Sequence, residues 1–521
     1  MKLKRIIATA AMLTCASISI VGCGGNKNSA IKDRLYIVYY PGGYGEEFLE
    51  TFVKEYLAET KGVSVNEITK DDYYLRADEN CTYQVTKYLE LKDKAPDIII
   101  SNYVSPTNIT SGLIEPLDDL FSSEVTTSKG KVAIKDYCLP EAYKKYEMQV
   151  KYGRGKKYIF GLPWTSSPLS MVYNETLLKQ VSHKSESGEV GEGAIKGGKW
   201  DRAPETVAEL KAYFNDIDAY NAENNKNIVK FGWSLSASNW FESFIMTWWA
   251  QIQGVDNPRI EGEGSYYDFW NLDSPELFKQ TGIQRALDQI KELFCADGKF
   301  SNSFPSPETK DYRVAQNDFA KGEVAMCLTG DFFAKEYEET IAEHGQTFKM
   351  MRVPSIEGAE LKEGTSDVKK LAFINLSSVA YIPHNSLNIE LAKGFLKYCC
   401  EEQQLLRFTK MAGGLKPFKY NALELDPTHE WPTFIKSVFD IYYDADDIIV
   451  KYPRNAETIS PVYLYEDIKN SFLIGSTYPD MMTDLKSLTA KEFMIDGRNS
   501  VYNSAKKYYD ETLKSLYNLD Y

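Results

Sequence analysis

The chain has 521 residues, with 60 lysines and arginines against 74 aspartates and glutamates, a formal net charge of −14. Length predicts about two or three domains of roughly 150 residues, or fewer large ones. A composition 43% hydrophobic and 26% charged, with 33 glycines and 20 prolines, fits a folded soluble protein and excludes disorder, collagen and a multi-span membrane protein. The acidic balance argues against nucleic acid as a partner, because phosphate binding needs clustered Lys and Arg and no basic stripe with interleaved aromatics is present.

Residues 1–22 read as an export signal. Lys2, Lys4 and Arg5 form a basic start, and Ile6 to Val21 form an uncharged, largely apolar run too short for a membrane span. The run ends Ile20-Val21-Gly22-Cys23, which resembles the lipobox of bacterial lipoproteins. In that reading Cys23 becomes the lipidated N-terminus and residues 23–34 are a flexible polar tether. An ordinary signal peptide with an incidental Cys is the alternative. Loss of residues 1–22 removes three basic and no acidic residues, which takes the net charge from −14 to −17.

In the mature chain, Leu35–Tyr40 reads as a buried strand, broken by Pro41-Gly42-Gly43-Tyr44-Gly45. A helix over Glu46–Glu59 follows, with Phe48, Leu49, Phe52, Val53, Tyr56 and Leu57 on one face. Residues 95–102 read as a second buried strand ending at Asn102, and Gly112–Leu120 as a loop entering a short helix. Tyr158–Trp164 and Leu169–Asn174 read as strands flanking a bend, and 183–200 as an exposed insertion. Thr206-Val207-Ala208-Glu209 fits a capping box for a helix through Ile217, and further helices are expected at Ile283–Phe294 and Ile389–Leu406. Alternating strands and helices without a clean linker predict an α/β protein of two lobes that the chain crosses several times.

Motifs for chemistry are sparse. Gly193–Lys199 has P-loop spacing, yet Trp200 stands where Ser or Thr must hold magnesium and no strand precedes it. The glycines of 42–45 could present backbone N–H groups to a ligand, but Glu46 and Glu47 already complement the helix dipole and would repel an anion. No Gly-x-Ser-x-Gly or His-Glu-x-x-His is present, although a glycosidase needs only two placed carboxylates. The four histidines are far apart, so no metal or other cofactor is expected. Cys81, Cys138, Cys295, Cys327, Cys399 and Cys400 lack C-x-x-C spacing, and six thiols leave their pairing open. Aromatics at expected strand ends and loops, among them Tyr40, Tyr44, Trp164, Trp240, Phe332 and Phe333, suit either a core or the flat face of a sugar ring.

In order along residues 35–425, the first strand with Tyr44-Gly45-Glu46-Glu47, then Ala95–Ile98, Gly112–Leu120, Tyr158–Pro163 with Leu169–Asn174, Pro204–Leu210, Asp318–Met326 with Gly330, and Glu390–Leu396 resemble the extracellular solute-binding proteins of bacterial ABC sugar importers, the maltose-binding-like group. The resemblance implies a two-lobed periplasmic-binding-protein fold, type II-like, with an interlobe cleft and hinge crossings near 160–162, 373–378 and 420–426. Lobe 1 would hold residues 35–160 and 378–425, and lobe 2 residues 161–377 and 426–521. It further implies a monomeric, lipid-anchored receptor on the outer face of the cell membrane, which captures a carbohydrate and hands it to ABC permease subunits without chemistry. The expected ligand-binding residues are Tyr40, Gly43, Tyr44, Asn102, Trp164, Trp240, Asp331, Phe332 and Gly414. In Gly330-Asp331-Phe332-Phe333 a Phe replaces the family's usual stacking Trp. A receptor for another polar solute such as a peptide, or a glycan-degrading enzyme, is the alternative.

Overall fold

The computed structural model describes residues 32–450 apart from 92–93, 103, 150–155, 185–189, 235–236, 238–239, 272–279, 295–309 and 377. The export signal, Cys23, most of the tether, Cys295 and the expected lobe-2 segment after residue 450 lie outside the described residues.

In chain order the strands of two main sheets are β1 (Leu35–Tyr39), β2 (Tyr73–Ala77), β3 (Ile98–Ser101), β4 (Leu162–Pro163), β5 (Ser167–Asn174), β6 (Val229–Gly232), β7 (Val324–Gly330), β8 (Phe348–Met351), β9 (Leu371–Asn375), β10 (Val379–Tyr381) and β11 (Asp447–Val450). The first sheet has the order β2–β1–β3–β10–β4, with β1 parallel to both neighbours and β10 antiparallel to β3 and β4. The second has the order β6–β7–β5–β9–β11, with β8 also paired to β5. Every residue of β1, β5 and β7 is buried. Helices cover these sheets, which is why their central strands read as continuous apolar runs. The architecture is α/β, as the alternation of elements predicts.

The chain passes between sheets where strand pairing changes. Leu162 and Pro163 pair with Ala380 and Val379, so β4 belongs to the first sheet and the first passage falls at 164–166, a few residues beyond the expected 160–162. The return lies between Asn375 and Val379. A third passage follows residue 419. The Lys419 amide still bonds Tyr137 O, whereas Ser437, on helix Thr433–Tyr442, accepts from the Met350 amide of β8.

Local signals mostly hold. The first helix is Glu47–Lys61, and Thr206 Oγ accepts from the Glu209 amide at the start of Val207–Asn224. The Glu209 carboxylate, however, bonds Arg202 at 2.8 and 2.9 Å instead of completing the box. The expected helix 389–406 is two, Ile389–Tyr398 and Glu402–Ala412, because Glu401 adopts an extended backbone. The expected exposed insertion is partly core. Ile195–Lys196 pairs with Lys199–Trp200, and the buried Trp200 indole donates to Asp216 at 2.8 Å while packing edge-on against Tyr213. Burial of one indole thus anchors a Gly-rich hairpin. Cys81, Cys138, Cys327, Cys399 and Cys400 are buried free thiols.

Asp97 fastens the first sheet. Fully buried, its carboxylate accepts from the Tyr36 amide at 2.8 Å, Ser386 Oγ at 2.6 Å and Asn388 Nδ2 at 3.2 Å. Burial raises its pKa, and these donors offset the rise only in part. Asp97→Ala would strand three donors, each costing about 1–3 kcal/mol. Thermal unfolding should shift down by at least about 5 °C, read by calorimetry on the mature chain.

Candidate functional site

β1 and β3 lie side by side in parallel, and their carboxyl ends open onto a cavity of about 400 Å³ at the seam between the sheets. In an open α/β sheet that edge carries the loops whose backbone the ladder leaves free. Tyr40 follows β1, Asn102 follows β3, and both line the cavity with Gly43 and Tyr44. Gly43 and Gly45 have φ of 88° and 73°, so the turn needs glycine there. A Cβ on Gly43 would come within 3.1 Å of Phe332 Cβ, which keeps the loop close against the opposite wall.

Trp164, from the first passage between sheets, lines the cavity beside Thr165 and Ser167. The second-sheet side supplies Trp240, ahead of helix Glu242–Gln253, Tyr312 at the start of Tyr312–Ala320, and Phe332 just after β7. The Trp240 ring stands 5.5 Å from Tyr312 and 6.1 Å from Phe332, and Phe332 meets Tyr44 edge-on at 6.3 Å. Asn375 and Ser378, flanking the second passage, add neutral hydrogen-bonding groups. Among the described residues, the one charged side chain in the lining is Glu336 at the rim, which bonds the Gly43 amide and whose pKa burial raises to about 7.

Seven of the nine expected ligand residues therefore meet at one cavity: Tyr40, Gly43, Tyr44, Asn102, Trp164, Trp240 and Phe332. The other two stand behind its wall. Asp331 is 1% exposed and accepts from Tyr44 Oη at 2.7 Å and Ser167 Oγ at 2.6 Å. Gly414 lies under the Tyr44 ring, where a Cβ would sit 2.3 Å from Cε1. Both act on the cavity through Tyr44. Tyr312, Ser167 and Asn375 escaped the sequence reading, since each is a common residue at an element edge with no motif around it.

Residues 52–436 match the family model described as bacterial extracellular solute-binding protein. The chain belongs to that family. The comparison with curated proteins finds no match. Among the described residues, no helix is long and apolar enough to cross a membrane.

One further charge of this solute-binding protein lies buried beside the cavity wall. Lys416, 3% exposed, places its ammonium 3.2 Å from the Trp164 ring centre and 4.6 Å from that of Phe408, so it lies under the platform that lines the cavity. Burial lowers its pKa to about 7, while the negative faces of the rings favour the cation. An unfolded lysine keeps its proton to about pH 10.4. The unfolded state therefore binds more protons between those values, and stability rises with pH through that window. Denaturant titration at pH 6.5 and 8.5 should show wild type gaining stability relative to Lys416→Met, whose own pH dependence lacks this component.

Proposed function

We propose that this solute-binding protein captures a neutral carbohydrate in the cavity between the two sheets and passes it to the permease of an ABC transporter, without transforming it. The two sheets with their helices are the two lobes, the three chain passages are the hinge, and the chain is held at the outer face of the membrane through lipidated Cys23.

The observation that carries the reading is the lining. Flat rings from both sides, Tyr40, Trp164, Trp240, Tyr312 and Phe332, surround a cavity whose polar groups are almost all neutral. A pyranose offers apolar C–H faces to such rings and hydroxyls to Asn102, Asn375, Ser378 and the Gly42–Gly45 backbone. Absence of Lys and Arg from the described lining disfavours an anionic solute, whose buried charge would stay uncompensated. The volume falls within the range of small-molecule sites, about 300–1,000 Å³.

Calorimetry with a panel of neutral mono- and oligosaccharides tests this reading. A micromolar ligand corresponds to about −8 kcal/mol, and a stacked ring contributes roughly 1–2 kcal/mol. Trp240→Ala and Phe332→Ala should each weaken binding about tenfold while leaving the melting profile near that of wild type. Wild-type affinity in both folded variants would place the site elsewhere, and release of reducing sugar on incubation would favour a glycan-degrading enzyme.

A further inference from the structure

We propose that Asp331 is the positioning residue of the cleft: it holds Tyr44 in the wall when the two sheets are together, and it takes up a proton as they come together. This rests on the hinged-cleft reading above and adds to it a named latch and a linkage to pH.

The geometry supports a latch. Asp331 follows β7 of the second sheet, while Tyr44 belongs to the loop after β1 of the first. One oxygen, Oδ1, accepts from both Tyr44 Oη and Ser167 Oγ, at 2.7 and 2.6 Å. Gly414 leaves room for the Tyr44 ring and Phe332 bounds its edge, so the hydroxyl has one place to go. The contact therefore ties the loop that lines the cavity to the opposite sheet.

The carboxyl is poorly provided for as an anion. Its residue is 1% exposed, and Oδ2 is a buried oxygen without a hydrogen-bond partner. The groups acting on it are the hydroxyls of Ser167 and Tyr44 and the amides of Leu415 and Asp331 itself, and they offset burial only in part. Asp331 in turn acts on the Tyr420 phenol, and Glu336 at the cavity rim, which bonds the Gly43 amide and whose own pKa burial raises to about 7, acts on Tyr44. The cations near this seam are otherwise engaged: Lys416 lies over Trp164, Lys335 pairs with Glu338, and Lys410 pairs with Asp426. Burial raises the pKa to about 7. Separation of the sheets would return the carboxyl to water and to about 3.9. Closure thus favours the neutral acid, and the latched form gains as pH falls from about 7 towards 4, by at most tenfold per unit for one proton. Tyr44 burial pushes its phenol well up, so it stays a donor throughout.

The test uses the ligand-free soluble chain, residues 24–521, which lacks the lipidated Cys23, with two readouts. Hydrogen exchange in peptides covering residues 40–49, corrected for the intrinsic pH dependence, reads the latch, and small-angle scattering reads separation of the sheets. In wild type, protection should strengthen several-fold per unit from pH 7 to 5. In Asp331→Asn, which keeps an acceptor for both hydroxyls but cannot titrate in this range, the slope should fall well below that of wild type, Glu336 on the Gly43 amide supplying what remains. Tyr44→Phe leaves Asp331 in place and should lower protection at every pH while keeping the slope. A slope in Asp331→Asn equal to that of wild type, or no slope in wild type, would overturn the proposal. Protection that behaves as predicted with an unchanging scattering curve would keep the latch and overturn the hinge. A scattering curve that tracks pH equally in wild type and Asp331→Asn would keep the hinge and overturn the latch.

Discussion

The hydrogen bond from Tyr44 to Asp331 ties the two sheets of this molecule together beside the cavity, and the surrounding sequence is shaped by it. A loop that must turn sharply after β1 and still lay a tyrosine ring against the other sheet needs glycine at residues 43 and 45. The ring needs a residue without a side chain at 414 beneath it. The carboxyl it meets needs Ser167, the first residue after the chain changes sheets, as a second donor. Four stretches distant in sequence thus become one small junction.

That junction is one polar contact beside apolar packing that residues of both sheets share. Around it the rings are shared by both sides: Tyr40 and Tyr44 from the first, Trp240, Tyr312 and Phe332 from the second. A ligand stacked among them would bridge both sheets and add its contacts only when they are together. Differential contact of that kind shifts a conformational equilibrium.

The sequence carried much of this. Buried strands such as β1, β3 and β5 announce themselves as apolar runs, and the Glu47–Lys61 helix by its 3.6-residue period. Family motifs in their order brought seven expected residues to one cavity. What stayed hidden depends on partners remote in sequence. Asp331 looked like a ligand for sugar hydroxyls, and only the fold turns it away from the cavity towards Tyr44 and Ser167. Nothing local in Gly-Leu-Lys-Pro marks Lys416 for burial, which depends on Trp164 and Phe408 closing over it. Trp200 sat in a Gly-rich stretch whose composition outweighed the one residue that seeks burial. Pairing partners also decided the first passage between sheets, which no local signal marks.

The central claim is that two sheet-based lobes close around a solute at this seam. Small-angle scattering of the mature chain with and without a saturating carbohydrate identified by calorimetry addresses it directly. The account predicts a smaller radius of gyration with the sugar bound than without it. Superimposable curves at saturation would contradict closure on the ligand and describe a rigid scaffold.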